Sequence, residues 1–359
     1  MAIAESSPRA LDRVLYELCR AEPRSPPVRK LEDLVRAALA VSSGGERALA
    51  LASALEPFTD RGLERRRQAL RMLAARRCPL PTEEAVLADV TAWAANAGDL
   101  EASALVAGWT GRLRYRQGRF VEAAESHLAS ARGQRWAAAR VNEQLNAASA
   151  LLEAFAFERA SAVADEARRI AAACRHPYFE ARAEWIVRSS AYRAGTAREP
   201  DLVLCDLATR VGVADLEALI CLNEAAVAWR ADAGGRATAL AGRAQRLWTT
   251  SGWRAGSLLA RALAMAAGRG ADASEANDLA AEARLVTVPG VGLQALGLVA
   301  LGAREAAATQ PEVLRQLAAA VPRAHWSQRM DVISVDEALG ALGVAPASLE
   351  QGARGGGTR

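Results

Sequence analysis

148-ASALLEAFAFERASAVADEA-167 holds the end of one helix, a tight turn and the start of another. In the second helix Phe157, Ala160, Ala164, Ala167 and Ala171 step by three and four residues, which places them on one stripe. Leu216, Leu219, Leu222, Ala226 and Trp229 do the same further along. Such stripes are core-packing faces. Half of the chain is hydrophobic (51%), yet only 5% is aromatic, and alanine and leucine make up the difference. Alanine is the best helix former and lets helices approach closely. Alternating Val/Ile/Thr-rich runs are almost absent, so a sheet has little to be built from.

Working outward, glycines 98, 118, 133, 195, 212, 234 and 252 each follow a helix-length apolar segment, where a left-handed cap costs glycine little. Pro81, Pro177, Pro200 and Pro311 sit near helix starts. Ser334–Glu337 and Asp272–Glu275 have capping-box spacing. These marks predict helices near 9–21, 27–42, 45–57 and 61–77, then 82–97, 100–117, 120–132, 136–154, 157–173, 177–194 and 200–210. They continue at 214–232, 236–250, 254–267, 273–285, 291–307, 311–320 and 334–342. Breaks at Gly133, Arg175, Gly212 and Gly252 lie 42, 37 and 40 residues apart, and each interval holds two helices. An antiparallel pair cannot bury its apolar faces alone, so stacked pairs are expected.

The local pattern resembles the tetratricopeptide repeat. In 111-GRLRYRQGRFVEAAESHLASA-131, Gly111 matches the small residue of the first helix, Tyr115 its aromatic and Gly118 the turn. Phe120 and Ala123 match the pair that opens the second helix. Ala148, Phe157, Ala160 and Ala167 fall at equivalent places, and Ala226, Gly234 and Ala239 do so more loosely. The longer period and 173-ACRHPYFEARAEWIVRSSAYRAG-195 are similar to the helical-repeat sensor domain of the large MalT-type ATP-dependent transcriptional regulators, and to repeat tails of bacterial signalling proteins. The resemblance covers roughly residues 82–285. No Walker A phosphate loop is present, so that family's ATPase module is absent. The resemblance implies that the first helix of each pair lines a groove. Asn146 falls on that inner face with Asn142 one turn earlier, and Arg188, Tyr192, Asn223 and Arg230 occupy comparable helices. Asn146 matches a position that hydrogen-bonds an extended peptide in some tetratricopeptide proteins, although the lysines of the carboxylate clamp are not reproduced. The other reading of Asn142, Asn146 and Asn223 is ordinary exposed polarity.

The net charge of +4 hides an asymmetry: residues 1–80 carry +5 and the remainder −1. The excess is concentrated in 61-RGLERRRQALRMLAARR-77. Arg61, Arg65, Arg66, Arg67 and Arg71 have two readings: a solvated face beside an acidic neighbour, or a contact for an acidic partner or nucleic acid, which would make binding salt-dependent. The eight tryptophans are expected mostly as inter-helix wedges, with one or two as binding anchors.

Chemistry finds little to start from. Cys19, Cys78, Cys174, Cys205 and Cys221 are odd in number with no CxxC spacing, which suits buried free thiols in a reducing compartment. His127, His176 and His325 are far apart, and Cys174-Arg-His176 falls at a helix end where His176 can cap the next helix. No HExxH, GxSxG or GxGxxG-after-strand pattern appears. Gly290, Gly292 and Gly297 suit close helix contacts, and the uncharged stretch Leu285–Ala303 is expected to be a buried helix instead of a membrane span.

The expected fold is all-α: a helical bundle over 1–79, a right-handed superhelical array of antiparallel helix pairs over 80–310, capping helices over 311–345 and a disordered tail at 346–359. The expected function is a cytoplasmic scaffold or adaptor that binds a protein or peptide, without catalytic residues, cofactor, metal or membrane contact. The alternative is a ligand-responsive signalling or transcription-regulatory protein with a small molecule or peptide in the groove. An enzyme would require a histidine beside a buried acid or thiol. Oligomeric state and partner identity are left open.

Overall fold

A computed structural model describes residues 44–54, 57–98, 100–268, 272–286, 288–303, 306–309, 311–319, 321–345 and Leu349. The expected helices at 9–21 and 27–42, Cys19, and all of the 346–359 tail except Leu349 lie outside them. Among the described residues there are sixteen α-helices and no strand. The chain divides into two compact units at Glu180–Ala181.

The first unit holds α1 (Gly44–Ser53), α2 (Arg61–Ala75), α3 (Leu80–Ala97), α4 (Leu100–Arg116), α5 (Phe120–Gly133), α6 (Ala137–Glu153) and α7 (Phe157–Ala173). Each packs against the next, and α2 also touches α4. One core joins α1 to α4: Ala48, Leu70, Met72 and Leu73 pack with Val86, Val90 and Trp109. In α7 the buried residues are Phe157, Ala160, Ala164, Ala167 and Ala171, the stripe expected from their spacing.

Helix α8 (Pro177–Arg193) crosses the division. The second unit continues with α9 (Leu202–Val211), α10 (Ala214–Arg230), α11 (Gly234–Ser251), α12 (Arg254–Gly268) and α13 (Ala273–Leu285). It ends with α14 (Pro289–Gly302), α15 (Pro311–Ala318) and α16 (Val335–Leu342). Here α10 packs on α9, α11 and α12, while α14 packs on α12, α13, α15 and α16. Surrounded in this way, α10 is buried on every side from Leu216 to Ala228, and α14 from Val291 to Ala300. That is why Leu285–Ala303 lacks charge. Among the described residues no helix is long and apolar enough to cross a membrane.

The turns follow the expected punctuation with two differences. Gly98, Gly118, Gly195, Gly212 and Gly252 adopt left-handed backbone. Gly133 and Gly234 instead lie inside helix termini. A Cβ on Gly133 would stand 2.8 Å from the Ala104 Cβ, and one on Gly234 would stand 2.7 Å from the Ala267 carbonyl oxygen. Both are glycine because another helix lies against them. Before Gly234 the left-handed turn position falls to Asp232 (φ 56°), and Phe155 (φ 59°) and Arg175 (φ 51°) play the same part after α6 and α7. A side chain in that region is uncommon and must be held by its surroundings.

Close approach recurs through the core. A Cβ on Gly297 would meet the Ala338 Cα at 2.7 Å, which seats α16 directly on α14. A Cβ on Gly292 would meet the Ala283 carbonyl oxygen at 2.6 Å. Gly256 lies under Trp248 and Trp253, whose rings meet edge to face at 4.7 Å. By contrast nothing stands within 4 Å of a Cβ on Gly235, early in α11. Gly297→Val is therefore expected to destabilise the protein by about 1–3 kcal/mol through overpacking. Gly235→Ala is expected to stabilise it by about 0.5–1 kcal/mol through helix propensity and chain entropy. Thermal unfolding of the two variants against the parent checks both signs.

Candidate functional site

The interior is too alanine-rich to be filled by apolar bulk, and several carboxylates lie within it. In the first unit Glu143 of α6 is 6% exposed. Its carboxylate bonds His127 Nδ1 of α5 at 2.7 Å and accepts from Arg112 of α4 at 3.3 Å. Asn142 and Asn146 Nδ2 approach the same oxygen at 3.4 and 3.5 Å. The glycines of α4 make room: a Cβ on Gly111 would stand 2.8 Å from the His127 ring, and one on Gly108 would stand 3.2 Å from Glu143 Oε2. The small residue that marks the repeat pattern is here the floor under a buried imidazole. Asn142 and Asn146, the expected peptide contacts, are half-buried and turned toward Glu143.

The arginine run is engaged within the fold. Arg66 and Arg67 are buried. Glu64 accepts from Arg67 Nε at 2.9 Å and Nη2 at 2.7 Å, from Gln68 at 2.6 Å and from the Phe58 backbone at 2.9 Å. Arg71 pairs with Asp89 at 3.0 Å, and Arg65 pairs with Glu101. Arg61 alone of the five is exposed. On α3, Glu83 is fully buried against Arg116, and burial pushes its carboxyl up in spite of that cation. Nearby, burial and the adjacent Arg112 push the Arg76 guanidinium down to about 10.

In the second unit, Glu224 of α10 is fully buried. It accepts from Arg188 Nη2 at 2.8 Å, the Asp201 backbone at 2.6 Å and Asn223 Nδ2 at 2.9 Å. The expected contacts Arg188 and Asn223 thus meet at one carboxylate, and Arg188 Nη2 also donates to the Glu199 carbonyl at 2.6 Å. Cys205 and Cys221 are buried together; the Cys221 sulfur and burial push the Cys205 thiol up. Cys174 is exposed at the end of α7, and the His176 ring stacks on Phe179 at 4.2 Å. Among the described residues no three His, Cys, Asp or Glu side chains gather as a metal site.

Tyr192 and Arg230 border a bent, non-helical stretch of the chain itself, residues 329–334, in which the Met330 N–H donates to the Ile333 carbonyl at 3.3 Å. The Tyr192 hydroxyl donates to the Val332 carbonyl, which Arg230 also approaches at 3.5 Å. Gln294 of α14, 1% exposed, accepts from the Val332 and Ile333 backbone N–H groups at 2.8 and 3.2 Å. Arg193 pairs with Asp331 at 2.9 Å, and Arg230 pairs with Glu337 at 2.7 Å. Ser334 and Glu337 complete the capping box that starts α16. Burial pushes the Tyr192 hydroxyl up, which keeps it a donor. Of these residues the sequence pointed to Tyr192 and Arg230, here in contact with the chain's own Val332, and did not point to Gln294, Arg193, Glu143 or Glu224. The missed signals were polar side chains inside apolar runs: Gln294 within Leu285–Ala303, and Glu217, Asn223 and Glu224 within Leu216–Trp229.

Removing Glu143 strands a buried imidazole and a guanidinium, so Glu143→Ala is expected to cost about 3–5 kcal/mol in urea unfolding. A cost under about 1 kcal/mol would show that the cluster does not hold α4, α5 and α6 together. Acid acts through other groups. Burial alone would raise the Glu64 and Glu337 carboxyls, but Arg67 with the Phe58 N–H, and Arg230 with the Ser334 N–H, outweigh it and hold both below the ordinary 4.5. A depressed carboxyl contributes stability above its unfolded value and loses it as pH falls through the folded one. The melting temperature is therefore expected to drop below about pH 4.5, and the drop should shrink in the Glu64→Gln/Glu337→Gln variant. Glu83, shifted the other way, is kept intact for this comparison. No protein-family model matches the chain, and neither a curated protein nor a solved structure does.

Proposed function

We propose that this protein is a scaffold or adaptor that acts by binding and not by catalysis, holding an extended segment of a partner protein against the first helices of successive pairs. Within each unit the pairs wind as a right-handed superhelix, and those helices line its inner face. One observation carries the reading. Side chains from three helices, Tyr192 of α8, Arg230 of α10 and Gln294 of α14, converge on the backbone N–H and C=O of one non-helical stretch. A surface that satisfies backbone groups in this way suits a peptide whatever its side chains, because an unmet buried N–H or C=O is costly. The buried pair of His127 and Glu143 is the arrangement an enzyme would require, so catalysis at that pair is the competing reading. The compartment proposed is the cytoplasm.

A displayed library of random peptides, panned on the full-length chain, tests this. Enriched peptides are expected to lose roughly tenfold in affinity on Gln294→Ala or Arg230→Ala, or on Asn142→Ala/Asn146→Ala for peptides held in the first unit. Enriched peptides indifferent to all of these substitutions, or no enrichment at all, would refute the reading.

A further inference from the structure

We propose that the face formed by α8, α10 and α14 is a docking site for a bent acidic–aliphatic segment of another protein, and that this chain's own residues 329–337 occupy it until such a segment displaces them. The inference rests on the peptide-holding reading above and names the chemistry of the occupant. The sequence in place is 329-RMDVISVDE-337. Val332, Ile333 and Val335 are buried as anchors, while Asp331 and Glu337 flank them and pair with Arg193 and Arg230. The face is therefore cationic at two places and apolar between them. It also reads backbone: Val332 has its N–H taken by Gln294 and its C=O by Tyr192.

The attachment has the character of a docked ligand. Its polar contacts with the face come from side chains of helices distant in sequence, to its backbone and to its two carboxylates, and its own backbone bonds are local, from Met330 N–H to the Ile333 carbonyl and from Asp336 N–H to the Trp326 carbonyl. It arrives through Val321–Gln328, where Pro322, Arg323, Ala324 and Ser327 are exposed and only a three-residue turn at Arg323–His325 is helical. It leads into α16, eight residues long, too short to persist as a helix without its seat on α14. Release of the segment would therefore free α16 with it and expose the whole face. A partner segment with a carboxylate on each side of two or three aliphatic residues would meet the same two arginines and the same amide.

The test uses the full chain and a fluorescent peptide spanning residues 328–342. Asp331→Ala/Glu337→Ala loosens the resident segment without touching the face. This variant is expected to bind the peptide at least tenfold tighter than the parent chain, as read by anisotropy. Adding Gln294→Ala should remove the gain, and a peptide with Asp331 and Glu337 changed to lysine should not bind. Equal affinity for parent and variant, or none for either, overturns the proposal. Hydrogen exchange on the unaltered chain gives a second reading that needs no variant. Amides of Val332–Glu337 should exchange at least about a hundredfold faster than those of Leu219–Ala226. Equal protection would mark the segment as a permanent part of the core and also overturn it. The two proposals fail differently: if library peptides bind at Asn142/Asn146 while residues 329–337 never open, only this one is lost.

Discussion

The structure depends on how closely its helices approach. With few aromatic side chains to fill space, stability has to come from backbones near contact, where many small dispersion terms add up. Glycine sets the limiting distance. At Gly297, Gly292, Gly133 and Gly234 even one methyl group would fall under 3 Å from a neighbouring helix. These positions fix axial register as well as distance, because only one offset brings a glycine opposite each obstruction. Packing of this kind is unforgiving, and it explains why the few bulky residues sit where they do. Trp248 and Trp253 close over Gly256, a site that a larger residue would block.

Close approach also brings polar side chains into reach of one another across helices. Arg112, His127 and Glu143 come from three consecutive helices, and Arg188 and Glu224 come from two. A buried ion pair gains little net stability over an apolar substitute of equal shape, since desolvation offsets attraction. What such a pair does enforce is correctness: a slipped helix would leave a charge buried and unmet. In an array of similar alanine-faced helices, many wrong pairings would bury comparable apolar area. Carboxylates such as Glu143 and Glu224 make those alternatives costly. We read them as devices of specificity, which matter more as the helices become more alike.

Much of the fold was legible because helix signals are local. The 3-4 spacing of α7, the glycines at 98, 118, 195, 212 and 252, and the Ser334 capping box each act within one turn of chain. The two misjudged glycines show the limit. Gly133 and Gly234 have the composition of caps, yet their reason lies across space, in Ala104 and Ala267. The site was less legible for the same cause. Helix periodicity places Tyr192 in α8 and Arg230 in α10, but nothing local reveals that residues more than 100 positions later lie against them. The arginine run shows a related limit: its charge and Glu64 are visible together in sequence, whereas Asp89 and Glu101, the acidic neighbours, gain meaning only once α3 and α4 are placed against α2.

The contact with residues 329–337 brings these themes together. Gln294 sits in a helix otherwise given over to apolar packing, and its amide would be a liability there without partners. Its oxygen accepts from two consecutive backbone N–H groups, which turn to one side only where the chain bends, as it does at residues 331–333; in a straight strand they would point apart. The amide therefore selects conformation, while the arginines select charge. Arg193 and Arg230 stand on opposite sides of the apolar anchors, so a segment entering in reverse would have to present its two carboxylates at different spacings from the Gln294 oxygen. Conformation, direction and charge are thus set by separate groups on separate helices, the amide on α14 and the two guanidiniums on α8 and α10.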